Sequence, residues 1–467
     1  MSEDFNKYPC LSSKEVRYKV LNHINDILYS MGQTIKASAM AKEAKNVLSE
    51  RNIIVSEKNL LLQRQLNRDQ QIAYNTIMNR VFSNKPGAFF IDGPGGTGKT
   101  FLYRVLLATV RHQGFVALAT TSFGVATSLL PGGRTAHSRF KLPIEIDGNF
   151  SCNISKQSSL ASLIRDAKLI VWDEISMAKK EMIEALDFLL KDLMETNILF
   201  GGKIIVFSGD FRQTLPVIRG GKREDFVSAS LLCSNIWNEL EKLQLFKDMR
   251  AKIDLAFCQY LMRIGHGKEK INSQGKIEIP RSFIIPFTDE KDSLNILFKV
   301  VYPNLYTSAS NILFITSHTI LTTKNDFVDE INDMLIMQSP SNIKVYIVVD
   351  ETLDPKDQSE YEDFMHTLNP PRLPPYKLCL KKHCPIILLR NLNFSMGLCN
   401  GTRLTCDDFK SHIISAIISN GDFKDTNVFI PRIPLLTSQD EKIPFQFKRT
   451  QFSICLCYAM TINKVKH

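Results

Sequence analysis

From Leu66 onward the chain alternates between short unbroken apolar runs and longer stretches with apolar residues at helical spacing. The runs are Ala88–Ile91, Phe115–Ala119, Leu169–Trp172 and Ile204–Phe207. A strand with one wet face alternates apolar and polar residues, whereas an unbroken run marks a strand covered on both faces. After the first run, Phe101–His112 places Leu102, Val105, Leu106 and Val110 at helical spacing, and Gly114 supplies a stop. Strands alternating with helices predict a parallel sheet with helices on both sides, an α/β fold.

The pattern changes further along. Residues 248–302 are mixed and punctuated by proline, and read as a connection between two lobes. A second alternating region opens at Ile312–Ile315. Inside it, residues 376–450 carry short strands and turns such as Pro385–Leu389 and Pro431–Leu436, which predicts a small all-β insertion. Residues 1–65 are polar and helix-prone and contain no motif. The domain reading is an N-terminal helical region (1–65), a first lobe (66–247), the connection (248–302) and a second lobe (303–467).

Composition narrows the classes. With 467 residues, 44% of them hydrophobic, the chain can bury more than one core. A net charge of +10 favours polyanions, whether nucleic acid or an acidic membrane surface. The ten cysteines are scattered without a C-x-x-C pair, which favours reduced thiols over zinc or disulfides. Cys455 and Cys457 alternate along an apolar run and so share one strand face. Met1–Pro9 resembles neither a secretory signal nor a transit peptide, and no apolar run reaches the length of a membrane span. The expected location is nuclear, with cytoplasmic and mitochondrial alternatives.

The chemistry starts where the first run ends. Gly93-Pro94-Gly95-Gly96-Thr97-Gly98-Lys99-Thr100 fits G-x-x-x-x-G-K-[ST] between a strand and a helix. Glycines let backbone N–H groups close around phosphate oxygens, and the helix N-terminus adds partial positive charge. Lys99 is assigned to the β- and γ-phosphates of ATP and is expected to face solvent; the Thr100 hydroxyl is assigned to Mg²⁺. The run Leu169–Trp172 delivers Asp173 and Glu174 at its end, the place where open α/β sheets bind ligands. Asp173 would hold Mg²⁺ and Glu174 would polarise the attacking water. The fourth run, Ile204–Phe207, ends in Ser208-Gly209-Asp210-Phe211-Arg212-Gln213, where a neutral Gln213 can sense a γ-phosphate.

Together these segments resemble the superfamily-one, 5′-to-3′ DNA helicases of the petite-integration-frequency type, above all the form found in Helitron-like transposons. The strings that carry the likeness are GPGGTGKT (93–100), LLPGGRTAHSRFKLP (129–143), WDEISM (172–177) and SGDFRQTLPV (208–217). LLRNLNFSMGLCNGTRL (388–404) and FKRTQF with AMTINK (447–464) continue it. The resemblance implies two RecA-like lobes with a small β-barrel in the second. It implies ATP and Mg²⁺ as cofactors, and single-stranded DNA and duplex junctions as partners. Gln70, in LNRDQ (66–70), would contact adenine, and Arg250, in Asp248-Met249-Arg250, would reach the γ-phosphate across the lobe cleft. His137, Ser138, Arg139 and Phe140 would lie along single-stranded DNA, mixing donors, charge and a stacking ring. Arg390, Asn391 and Arg403 would border the β-barrel and join the DNA contacts. In the family AMTINK continues into Ser-Gln-Gly-Gln, and a later strand carries a second arginine. The sequence stops at His467, so an incomplete second lobe is expected. A helicase is thus the leading reading, beside a transposon relic that binds without unwinding and a different P-loop ATPase.

Overall fold

A computed structural model describes residues 47, 50, 51, 53, 55 and 57–462, apart from 123–124, 144–153, 219, 248, 250–253, 304–314, 316–317, 354–364, 366–367, 369–372, 394–395, 422 and 438–444. Asp248, Arg250, the first three residues of Ile312–Ile315 and Asn463–His467 lie outside the described residues, as does most of 1–65. The chain divides into two compact units, one spanning Thr34–Pro280 and one including Arg281–His467. The division falls inside the stretch read as a connection. That stretch also contains two helices, Leu255–Gly265 and Glu290–Val301.

In the first unit the strands are β1 (Gly87–Asp92), β2 (Val116–Thr121), β3 (Arg134–Thr135), β4 (Ala167–Asp173), β5 (Ile204–Gly209) and β6 (Glu241–Gln244). Every described pairing is parallel, and the order is β3-β2-β4-β5-β1-β6. The unbroken runs explain this, because alternate residues feed opposite faces. Phe89, Ile91, Leu169, Val171, Ile204 and Val206 pack with helices Arg68–Ser83 and Lys99–His112. Phe90, Ile170, Trp172, Ile205 and Phe207 pack with helices Ser159–Asp166 and Lys180–Met194. Both faces are dry, so neither could afford a polar alternation.

The helix after β1 starts at Lys99, two residues before the apolar pattern does. Gly98 caps it with φ +76°, so the loop runs straight into the first helical turn. At the far end, the Gly114 N–H donates to the Arg111 carbonyl with φ +79°, the stop read from sequence.

The second unit is dominated by β-structure. Its strands are β7 (Ile320–Thr322), β8 (Lys344–Ile347), β9 (Val349–Thr352), β10 (Lys377–Leu380), β11 (Pro385–Leu388), β12 (Arg403–Phe409), β13 (Ile413–Ile418), β14 (Asn427–Leu436), β15 (Phe447–Phe452), β16 (Ile454–Leu456) and β17 (Ala459–Thr461). Seven of them form an antiparallel sheet in the order β16-β11-β12-β13-β14-β15-β9, and β8 pairs with β10 in antiparallel fashion. Beside it, β7 and β17 pair in parallel next to helix Asn325–Gln338. The β-region is therefore wider than the expected 376–450. It gains β9, whose Val-Asp-Glu-Thr composition carries no strand signal. Its Asp350 receives a bidentate ion pair from the buried Arg449 of β15 (2.8–3.0 Å), which pins the pairing. Cys455 and Cys457 do meet one cluster, with Ile387 and Met460. The described cysteines are free thiols. No described helix is long and apolar enough to cross a membrane.

Candidate active site

The C-terminal ends of β1, β4 and β5 lie side by side and carry the loops that the sequence singles out. The loop 93–98 is shaped by what its glycines exclude. A Cβ on Gly93 would sit 2.6 Å from the Thr97 hydroxyl, and one on Gly98 would sit 2.5 Å from the Gln70 amide nitrogen. Gly96 has φ +93°. Thr97 closes the turn, its hydroxyl donating to the Pro94 carbonyl at 2.9 Å.

Lys99 does not face solvent. Its side chain is buried, and its ammonium donates to the carbonyls of Gly93 (2.5 Å) and Pro94 (3.2 Å). Folding back onto its own loop satisfies a charge that burial would otherwise penalise. Lys99→Ala therefore removes two loop bonds along with the phosphate-binding charge. We expect loss of nucleotide binding together with faster amide exchange across 93–98; unaltered exchange there would show that the two bonds do not hold the loop.

Gln70 is also buried. It is 2% exposed and completes a capping box, taking the Asn67 N–H on its carbonyl (3.0 Å) while its own N–H bonds back to the Asn67 side chain. Its amide donates to the carbonyls of Thr97 (3.0 Å) and Gly98 (3.4 Å). Gln70 thus braces the phosphate loop from behind, because the N3 position of a capped helix points the side chain back at the cap.

Asp173 ends β4 almost fully buried. One carboxylate oxygen accepts from the Ser208 hydroxyl (2.6 Å) and the Glu174 N–H (2.9 Å). The other accepts no hydrogen bond among the described residues. Burial, then the neighbouring Glu174 charge, pushes Asp173 up to about 6, against the opposing pull of Ser208 and Lys99. Glu174 sits at φ +56°, ψ +41°, a left-handed conformation rare for a residue with a side chain. Its carbonyl is held by the Ser122 hydroxyl (2.8 Å), which in turn accepts from the Trp172 indole (3.1 Å).

The raised Asp173 carries a stability prediction. Unfolded, the group titrates near 3.8; folded, near 6, so the folded chain holds its proton more tightly. The stabilisation from that proton is complete below the unfolded value and is lost as pH rises through the folded one. Above pH 6 the buried charge costs about 3 kcal/mol at most. Asp173→Asn should thus raise the stability of nucleotide-free protein at pH 7.5 by about 1–3 kcal/mol, with the gain fading between pH 6 and 4. Paired urea melts at pH 7.5 and 4.5 check this; a variant less stable at pH 7.5 would refute it.

The third loop closes the site. Asp210 accepts from Arg212 (2.7 Å) and from the Gln213 amide (2.9 Å), and Arg212 also reaches Asp92 at the end of β1 (2.7 Å). Burial would raise the Asp210 carboxyl, but the bonds from Gln213 and Arg212 hold it below its ordinary value. Gln213 is thereby aimed at the phosphate loop, 3.4 Å from where a Cβ on Gly95 would stand. Sequence reading singled out Gln213 but missed the supporting set of Ser208, Asp210, Arg212 and Asp92. Its signal was the cluster of polar residues at adjoining strand ends.

The DNA-contact residues divide. His137 and Ser138 are half-buried on the short helix Ala136–Phe140. Arg139 and Phe140 are core residues, 2% and 1% exposed. Arg139 donates to the carbonyls of Ala119 and Gly132 and pairs with Glu50, so neither its charge nor the neighbouring ring is presented to a strand. A five-residue helix turned against the sheet buries its last residues, whatever their polarity. In the second unit, Arg390 and Asn391 follow β11 and Arg403 opens the adjoining β12. Asn391 accepts from the Asn400 N–H (2.8 Å), and Arg403 donates to the His318 carbonyl (2.9 Å).

Parallel sheet, phosphate loop, and paired carboxylates on the strand next but one define a P-loop nucleoside triphosphatase fold with its site assembled. Comparison with known proteins is more specific. Residues 65–275 match the PIF1-like helicase family, and residues 363–409 match the 2B domain of DNA helicase Pif1. The two regions cover more than half of the chain, which belongs to the PIF1-like helicase family. The zebrafish (Danio rerio) ATP-dependent DNA helicase PIF1 is 25% identical over 83% of the chain, and the Campylobacter jejuni Pif1 is 28% identical over 80%. The chain spans 54% of the zebrafish protein and 79% of the Campylobacter one. Crystal structures of Bacteroides Pif1 bound to ssDNA and of Candida albicans Pif1 share the fold. Their TM-scores are 0.56 and 0.57 at 20% and 21% identity, over 85% of this chain and 83% and 86% of theirs.

Proposed function

We propose that the chain is an ATP-dependent DNA helicase that couples ATP hydrolysis to 5′-to-3′ movement on single-stranded DNA and to the opening of duplex junctions, in DNA repair, recombination or telomere maintenance. The observation that carries the reading is the gathering of Lys99, Asp173, Glu174 and Gln213 at the ends of β1, β4 and β5, with Asp173 near Lys99 and Gln213 near Gly95. Lys99 binds phosphate, Glu174 accepts a proton from the attacking water, and Gln213 responds to the γ-phosphate. Thr100 and Asp173 would hold Mg²⁺. The fit is supported by the buried Asp173 carboxylate with one oxygen uncommitted. Among the described residues no group of three or more His, Cys, Asp or Glu could form a metal cage. The ion would share its ligands with nucleotide phosphates. When bound, the ion neutralises charge on those phosphates.

Phosphate release with and without single-stranded DNA tests the reading, together with strand separation on 5′-tailed and 3′-tailed duplexes. DNA-stimulated turnover with opening of the 5′-tailed duplex alone supports it. Turnover indifferent to DNA would replace it with a different P-loop ATPase. Affinity for single strands should also fall by about tenfold or more between roughly 50 and 200 mM salt, since lysines and arginines displace condensed counterions. Anisotropy of a labelled oligonucleotide measures this, and equal affinity at both salts would contradict backbone tracking.

A further inference from the structure

Glu50 lies upstream of the region that matches the PIF1-like family, in a stretch without a sequence motif, yet it is 6% exposed inside the first unit. One of its oxygens pairs with Arg134 at 2.8 Å and Arg139 at 3.1 Å. A third guanidinium, Arg111, stands beside them: it donates to the Pro131 carbonyl (2.8 Å), and Glu50 is the partner that keeps its proton against burial. Three arginines thus converge on one carboxylate. Arg134 and Arg139 belong to the stretch 130–140, which carries His137 and Ser138, and Arg111 and Arg139 hold its backbone at the Pro131 and Gly132 carbonyls. Other residues near Glu50 anchor the same stretch. Val47 packs in the core with Phe140. The Ile53 methyl lies 2.4 Å from where a Cβ on Gly132 would stand, so the N-terminal stretch closes directly over that glycine at φ +70°.

We propose that Glu50 is a positioning residue for single-strand binding: its carboxylate neutralises the arginine trio and so fixes residues 130–140 in their binding geometry. Without it, buried guanidiniums face one another uncompensated, and Arg134, already partly exposed, swings outward. The inference rests on the reading of 130–140 as a DNA-contacting stretch.

The sign of the effect separates position from charge. Deleting a negative charge should by itself strengthen binding to a polyanion, so a weakening reports lost geometry. In the full chain, Glu50→Ala should weaken binding of a labelled single-stranded oligonucleotide by about tenfold, as expected for residues coupled through one network. Fluorescent-ATP affinity should stay within about twofold, since the phosphate loop does not touch the trio. Amide exchange should quicken across 130–140 and not across 93–98. Glu50→Gln, which keeps an acceptor for Arg134, should recover part of the affinity; it also decides the matter if Glu50→Ala does not fold. Unchanged or tighter single-strand binding in either folded variant overturns the inference alone. A wild-type chain that binds nucleotide but no single strand overturns the DNA reading and the inference with it.

Discussion

Glu174→Gln should lower DNA-stimulated ATP turnover by on the order of 10²–10⁴-fold, the usual loss when a general base is removed. Nucleotide affinity should change by no more than about twofold, because the amide has the same shape and loses only the ability to take a proton. The structure makes this a clean substitution. The left-handed backbone at Glu174 is held from outside the side chain, by the Asp173 carboxylate on its N–H and the Ser122 hydroxyl on its carbonyl. Glutamine inherits both bonds. A strained backbone at a strand's end is typical of functional positions. Removing the adjacent charge also takes away one of the influences that raise Asp173, so that residue stays ionised to lower pH in the variant. Phosphate release measured beside fluorescent-nucleotide titration gives the answer. Turnover equal to wild type would reduce Glu174 to a turn residue and leave the site without a base.

The parts of this architecture that sequence made legible are those whose cause is local. Each unbroken apolar run became a strand because its two dry faces are written into consecutive residues. The phosphate loop was legible because only glycines tolerate the approach of Thr97 and Gln70. What escaped reading depends on partners far away in the chain. Nothing near Lys99 announces that it turns back on the Gly93 and Pro94 carbonyls. Asn67 does announce a helix cap, but nothing near Gln70 announces that its amide reaches the Thr97 and Gly98 carbonyls. Strand β9 has the composition of a loop and exists because a buried arginine on β15 seeks Asp350. Glu50 sits in a stretch with no pattern at all, and its importance appears only when Arg134 and Arg139 arrive beside it.

Arg139→Ala should destabilise the first unit by about 3–5 kcal/mol, the range for breaking a buried ion pair. Arg139 is fully enclosed and its guanidinium serves three groups: the Ala119 carbonyl (2.9 Å and 3.1 Å), the Gly132 carbonyl (2.6 Å) and the Glu50 carboxylate (3.1 Å). Truncation leaves the carbonyls without that donor and opens a cavity beside Phe140, whose ring centroid is 6.4 Å from Trp172. Arg139→Lys should recover little, because a point charge cannot span the fork of acceptors. Tryptophan fluorescence is a selective reporter: the chain has two tryptophans, Trp172 and Trp237, and both lie within Thr34–Pro280. Urea melts followed this way should shift strongly for Arg139→Ala. For Ser138→Ala, a half-buried neighbour whose hydroxyl makes no hydrogen bond among the described residues, they should shift by no more than about 0.5 kcal/mol. A phosphate-contacting arginine predicts the reverse, an unchanged melt with weakened single-strand binding. Should Arg139→Ala melt with the wild type while losing DNA affinity, the residue belongs on the surface with His137, and the arginine trio around Glu50 is not what holds the stretch together.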